Sequence, residues 1–504
     1  MPCKIAFIGA GSIGFTRGLL ADILSVPELQ QSEISFMDIN PHNLDMVYRL
    51  CQRDIDENGL NVKILATTDR REALKDAKYV INCVRIGVLD AFKLDVEIPL
   101  KYGVDQCVGD TLCAGGIMYA QRDIAFLEGL CRDIREVARP DCLLLNYSNP
   151  NAMVTWYANQ YGKVNTVGLC HGVQGGHALI ARVLGYDYKD IDIVCAGINH
   201  MTWYVSVKHN GEELNGKLLE ALENDPEVSK TEKVRIDMMK RFGYFSTESN
   251  GHLSEYVPWY RKRPDEIKDW IDLGVWINGE TGGYLRVCTE GRNWFETDFP
   301  NWLKEPARKY AYENRSREHG SYIIESMETG RVYRGHFNRV NHGAIANLPD
   351  DCVVEAPGFV DTFGINMPSI GNLPLGCAAA CMSNITVQRL AVEAGAHADI
   401  QLLRQAMMMD PLTGAVCNTQ EICQMVDEML IAQAEWLPQY AEEIERAKAR
   451  WAKAEAEGTL IPPIVTEGAA RLHTKTVEEM ARDKAAARKN AAEADKAKER
   501  PAAK

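Results

Sequence analysis

No run of apolar residues in this chain approaches the roughly 20 that a membrane-spanning helix needs, so no membrane partner is expected. The start lacks the basic stretch and apolar core of an export signal. The 15 cysteines are odd in number and show no paired spacing, which argues against a disulfide framework and for reduced thiols in a cytoplasm. No CxxC…CxxC zinc pattern is present, and Cys377 and Cys381, three alanines apart, read as small residues buried on a helix. Positive charge is short: 56 Lys and Arg face 70 Asp and Glu, a formal charge of −14. That deficit argues against nucleic acid or an anionic membrane surface as a partner. No internal repeat is visible.

What the chain does have is a 46 % apolar content, ample for a substantial core, and 504 residues, which suggests two domains and an extension. Lys4 to Ile8 is a short apolar run. Gly9-Ala10-Gly11-Ser12-Ile13-Gly14 follows at once, and Leu19, Leu20, Ile23 and Leu24 then recur at helical spacing. Strand, glycine turn and helix in that order form a dinucleotide-binding signature. Gly9 suits the tight turn, Gly11 a close backbone approach to pyrophosphate, and Gly14 close helix–strand packing, with Ser12 at the helix N-terminus. A second apolar run, Ile34 to Met37, ends at Asp38. Its carboxylate suits an adenosine ribose and would repel a 2′-phosphate, so the expected cofactor is NAD.

Residues 62–66, 79–84, 142–146 and 164–169 also read as strands, mostly separated by helical segments, as a parallel doubly wound sheet requires. The expected fold is α/β. An N-terminal Rossmann-type domain covers 1–195, and a catalytic α+β domain covers 196–440. Asp192 to Cys195 and Trp203 to Val207 read as strands, the latter ending at the turn His209-Asn210-Gly211. Helical stretches are expected at 386–408 and 419–434. From 441 to 504 the composition turns to Ala, Lys, Glu and Arg, a helical or disordered extension with no catalytic role expected.

Four polar segments lie near predicted strand ends, where ligands gather in open α/β sheets. They are Gly109-Asp110-Thr111, Asn146 to Pro150, Cys170 to Gln174, and Gly197 to His200. A thiolate at Cys170 and an imidazole at His200 can together hold a divalent transition metal and leave positions open for substrate hydroxyls.

Those segments, with Gly168-Leu169-Cys170-His171 and Ala196 to His200, together resemble glycoside hydrolase family 4. The likeness runs from the N-terminus to about residue 435. Gly115 to Met118, Gly243 to Phe245, Thr247 to Ser249 and Glu255 to Trp259 are most similar to its melibiase-type branch, the bacterial α-galactosidases. The resemblance implies a Rossmann-type domain followed by an α+β domain like that of lactate and malate dehydrogenases. It implies NAD and Mn²⁺ as cofactors, a small sugar or oligosaccharide as substrate, and a homodimer or homotetramer. The implied chemistry is oxidation at C3, loss of the C2 proton, elimination of the C1 oxygen and return of the hydride, an exception to the two-carboxylate scheme. By the same resemblance Cys170 and His200 are the metal ligands, and Asn149 and Asp110 contact substrate. His171 is the acid for the leaving oxygen, and the C2 base is Tyr256 or, alternatively, Glu248.

One departure stands out. α-Galactosidases of the family read Cys-His-Ser-Val where this chain reads Cys170-His171-Gly172-Val173, and glycine occurs there in the α-glucuronidase-like branch. An α-glucuronidase or another α-glycosidase therefore stays open beside the α-galactosidase. A 2-hydroxy acid dehydrogenase and a non-catalytic NAD sensor are readings from other classes. The Cys170-His171 pair has no place in the first, and the second would not depend on Cys170.

Overall fold

The computed structural model describes residues 3–464 and 467–498. Lys4–Ile8 is β1, Glu33–Met37 β2, Ile64–Thr67 β3, Tyr79–Asn82 β4, Leu143–Asn146 β5 and Thr166–Gly168 β6. These six are parallel, in the spatial order β3-β2-β1-β4-β5-β6. The order reverses between β1 and β4, which opens the crevice at the carboxyl ends of the strands where ligands bind in such sheets.

Both faces of this half are covered. Ile5 and Phe7 of β1 pack with Leu19, Leu20 and Ile23 of the helix Ile13–Leu24 and with Val47 and Leu50 of the helix Pro41–Glu57. Ala6 and Ile8 point the other way, into a core shared with Ile117 and Leu127 of the helix Cys113–Val137 and with Trp156 of the helix Asn151–Gln160. Burying one large aliphatic side chain of this kind contributes about 1.5–3 kcal/mol. Burial on both faces is why β4 and β5 read as unbroken apolar runs rather than alternating ones.

The sheet then continues without a break, but antiparallel. Ile191–Ile198 is β7, Met201–His209 β8, Glu212–Glu213 β9, Tyr333–Val340 β10, Val353–Asp361 β11 and Gly364–Asn366 β12. Beyond β6 the order is β10-β11-β7-β8-β9, with β12 paired to β11. The expected boundary at 195/196 falls inside β7. Asn199 and His200 form the two-residue turn between β7 and β8, and His200 takes a left-handed φ of 63°.

The helical stretch expected at 386–408 is two helices, Leu375–His397 and Ile400–Met409. Ala398 adopts a left-handed φ of 53°, and Asp399 caps the second helix by accepting from the amides of Gln401 and Leu402. Cys377 and Cys381 are buried on the first of these helices. The extension carries helices Ala441–Glu457 and Val477–Lys498. Between them the chain runs back over the body. The Ile464 amide donates to the Lys101 carbonyl, Ala469 to the Asp105 carboxylate, and Thr281 to the Ala470 carbonyl. No described helix is long and apolar enough to cross a membrane.

Candidate active site

The glycine turn leaves β1 at Gly9, whose φ of 84° is left-handed. The Gly11 amide donates to Asp38 Oδ2 at 2.8 Å, and the Asn40 amide to Asp38 Oδ1 at 2.9 Å. A Cβ on Gly11 would stand 2.7 Å from Asp38 Oδ2, so this glycine is required by the carboxylate itself. Ser12 precedes the helix Ile13–Leu24 without a capping bond from its hydroxyl. The close packing expected of Gly14 is not found: it is exposed, and a Cβ there would meet nothing within 4 Å. An open helix N-terminus beside an anchored acid fits a dinucleotide.

Across the crevice, three donor groups converge. Cys170 Sγ follows β6, His200 sits in the β7–β8 turn, and Glu248 precedes the short helix Asn250–Tyr256. One ligand atom from each lies within 4.8 Å of the others, and both Cys170 and His200 are buried. Cys170 Sγ is 3.8 Å from Glu248 Oε1. Sulfur, imidazole and carboxylate donors in one buried cluster suit a divalent transition ion.

The surroundings orient these groups. Thr111 Oγ1 donates to Asp110 Oδ1 at 2.8 Å and lies 3.1 Å from His200 Nδ1. With its hydrogen given to Asp110, the hydroxyl accepts from Nδ1–H, leaving His200 Nε2 as the free lone pair. Tyr256 Oη is 3.4 Å from the same Nδ1. Asn149 Nδ2 donates to Asp110 at 3.2 and 3.3 Å, and Arg85 Nη2 donates to Asp110 Oδ2 at 2.8 Å. Arg85 Nη1 is buried with no hydrogen-bond partner among the described residues, and its guanidinium lies against the rings of Phe92, Tyr119 and Tyr284.

The 107–111 loop is itself pinned. The Glu255 carboxylate accepts from the amides of Cys107, Val108 and Gly109 at 2.7 to 3.1 Å. Gly115 and Gly116 let the loop lie against the next helix, since a Cβ would approach the Gly109 carbonyl to 2.4 Å and the Thr111 backbone to 2.5 Å.

Electrostatics follow from burial and neighbours. Burial alone would raise the Glu248 carboxyl, but His200, His252 and His171 around it outweigh this and hold it at about 2. Burial brings His252 down to about 4 against the pull of Glu248, whose Oε2 is 3.5 Å from His252 Nε2. Burial, with Glu248 and Glu355 nearby, pushes the Cys170 thiol well up. Binding a cation there as thiolate therefore releases a proton. Burial, Glu255 and Asp110 push the Tyr256 phenol up as well.

Of the residues expected at a site, Gly9, Gly11 and Asp38 stand together at the glycine turn, and Cys170, His200, Tyr256, Asp110 and Asn149 form one connected group apart from them. Glu248 joins that group. His171 stands at its rim, its side chain 66 % exposed, with Nδ1 3.6 Å from Glu318. Arg85 and His252 were not singled out in the sequence, and Thr111 and Glu255 stand inside segments that were, but without a role of their own. Arg85 had a signal, standing just past a predicted strand where ligands gather. His252 had none, and the partners of Thr111 and Glu255 lie far away in sequence. A surface cavity of about 470 Å³ lined by Lys230, Lys233, Lys268 and Ala470 shares no residue with this group.

The sequence model of Family 4 glycosyl hydrolases matches residues 4–186, and that of the family's C-terminal domain matches 195–413. The chain belongs to glycoside hydrolase family 4. It is 56 % identical over 490 residues to an alpha-galactosidase of Rhizobium meliloti (strain 1021), covering 97 % of this chain and 99 % of that one. An alpha-galactosidase of Bacillus subtilis (strain 168) is 34 % identical, covering 87 % of this chain and 99 % of its own length. Among solved structures, the 6-phospho-beta glucosidase from Thermotoga maritima with manganese, NAD⁺ and glucose-6-phosphate superposes with a TM-score of 0.71. It is 23 % identical and covers 86 % of this chain and 99 % of that one. The fold of this family 4 chain is therefore the expected one, a Rossmann-type half continued by an α+β half.

Proposed function

We propose that this family 4 hydrolase cleaves unphosphorylated α-galactosides, melibiose among them, using NAD⁺ and a divalent ion, Mn²⁺. The observation that carries the reading is the buried Cys170–His200–Glu248 donor set with the Tyr256 phenol beside it, across the crevice from the glycine turn. The two alpha-galactosidases similar over most of the chain support the substrate class. A neutral sugar also suits Arg85, whose charge is already met by Asp110. Gly9, Gly11, Ser12, Gly14 and Asp38 would hold the dinucleotide, and Cys170 and His200 the metal. We assign residues 1–195 to nucleotide binding and 196–440 to catalysis, and place the protein in the cytoplasm as a homodimer or homotetramer.

When bound, NAD⁺ supplies reversible oxidation of the sugar at C3, and the divalent cation supplies positive charge that stabilises an enolate and lowers a neighbouring phenol's proton affinity. Asn149 and Asp110, tied to each other, fix the sugar hydroxyls. Tyr256 takes the C2 proton. His171, on the solvent rim, protonates the departing C1 oxygen as the C1–O bond breaks. The same two residues working in reverse add water at C1 and return a proton to C2.

Hydrolysis of melibiose and aryl α-galactosides in D₂O, with catalytic NAD⁺ and Mn²⁺, tests this. Galactose should carry deuterium at C2, and no NADH should accumulate. NADH formed in step with turnover would mark a dehydrogenase instead. Strict dependence on a 6-phosphoglycoside would overturn the substrate, and preference for α-glucuronides would move the chain to that branch.

A further inference from the structure

Gly172 stands where the resemblance to the α-galactosidase branch leads to an expectation of serine, and its surroundings give the bare backbone there a steric meaning. Gly172 is buried at the start of the helix Gly172–Leu184, and its amide donates to Cys170 Sγ at 3.4 Å. A Cβ built there would lie 2.3 Å from Glu248 Oε1, 2.5 Å from its Cγ and 2.9 Å from its Cδ. Moving the carboxylate tip alone would not relieve this, because the Cγ is also too close. Any side chain at 172 obliges the Glu248 side chain to leave its place. That place is between Cys170 Sγ, at 3.8 Å, and His252 Nε2, at 3.5 Å, inside the donor cluster.

We propose that Glu248 is a third protein ligand of the divalent ion, beside Cys170 and His200, and that the bare backbone at Gly172 is what admits it. The inference rests on the metal-dependent reading given above. It takes Glu248 out of contention as the C2 base, since a coordinated carboxylate has its charge committed, and leaves that role to Tyr256. It also adds a hard oxygen donor to a thiolate–imidazole pair, which favours Mn²⁺ more than the two softer donors alone would. Gly172 itself is a positioning residue and touches no substrate.

Metal binding by the full-length protein, without substrate, provides the test. Mn²⁺ affinity is measured by calorimetry, and Co²⁺ is used as a spectroscopic probe. Glu248→Gln, which keeps the shape, should weaken Mn²⁺ at least about tenfold. It should also change the visible Co²⁺ bands while the near-ultraviolet thiolate–cobalt band persists. Gly172→Ala should weaken Mn²⁺ to a similar extent. In a Glu248→Ala background, Gly172→Ala should cost nothing more, because the side chain it displaces is gone. Unchanged Co²⁺ bands in Glu248→Gln, or a Gly172→Ala effect of equal size in both backgrounds, would overturn the proposal, as would absence of Mn²⁺ binding by the unaltered protein. If that protein binds Mn²⁺ through all three residues but hydrolyses no glycoside, the functional reading fails and the ligand assignment stands.

Discussion

The glycine turn of the parallel sheet and the buried side-chain cluster at the seam between its parallel and antiparallel halves are built by different means. In the parallel half the work falls to the backbone: a turn at Gly9, the Gly11 amide, a helix N-terminus and a single anchored acid, Asp38. At the seam where the parallel half meets the antiparallel one, the work falls to side chains delivered from both: the 107–111 loop and the ends of β5 and β6 on one side, the β7–β8 turn and residues 248–256 on the other. Histidines follow the same division. Of the 11 in the chain, only His42 precedes residue 170. Four of the others, His177, His252, His319 and His336, are buried deeply enough to be held neutral, with pKa values pushed down to about 3 or 4. The turn is built from backbone shape, the cluster from side chains with distant support.

The sharpest way to break this division is Cys170→Ser. Hydrolysis should fall by more than the ~100-fold that losing an outer partner of a metal ligand usually costs, while NAD⁺ binding, read by fluorescence titration, stays as it was. Joint loss of both would show that the halves are not separable. Arg85→Met comes next. It strips Asp110 of its buried cation and should lower hydrolysis by about 10- to 100-fold, again with NAD⁺ bound normally; unchanged kinetics would remove Arg85 from the site. The converse variant is Gly11→Ala. Its Cβ meets Asp38 Oδ2, so NAD⁺ affinity should drop about tenfold, or 1.4 kcal/mol, with Mn²⁺ affinity untouched. Equal affinity for NAD⁺ would mean that the turn relaxes at no cost.

The smallest effect concerns acid stability. His336 is held neutral by burial, its pKa near 3 against 6.5 when unfolded, and its Nε2 has no partner among the described residues. A depressed histidine contributes stability above pH 6.5 and loses it as pH falls toward 3, by about 1.4 kcal/mol per pH unit. His336→Gln removes that slope. Its Tm should therefore rise relative to the unaltered protein between pH 7 and pH 5 by calorimetry, and a pH-independent difference would contradict the assignment.

The same division decides how much could be read beforehand. The glycine turn, Asp38 and the six parallel strands were legible because backbone recognition and two-sided burial leave contiguous marks, the turn as a motif and the strands as apolar runs. Cys170 and His200 were legible as a candidate metal pair from their places after predicted strands, and the resemblance sharpened that reading, but neither residue says which distant partner, such as Glu248, it will meet. Thr111 fixing the His200 tautomer and Glu255 gathering three amides were not legible, because hydrogen bonds across 89 and about 147 positions leave no periodicity. Gly172 was visible as a departure, but its cause, the nearness of Glu248, exists only in three dimensions.

Asp105 lies five residues before Asp110, and its carboxylate is shared. Arg261 and Thr281 hold it from within, and the Ala469 amide holds it from the strand of chain that returns after the helix Ala441–Glu457. The tail is therefore a splint on the loop that carries Asp110. Trimming the chain behind Gly458, or hanging a bulky fusion partner close after Lys475, would tamper with the seat of Asp110 from the far side. On the proposed assignment of Asp110 to the sugar, a preparation nicked there should still bind NAD⁺ and Mn²⁺ and yet handle sugar poorly.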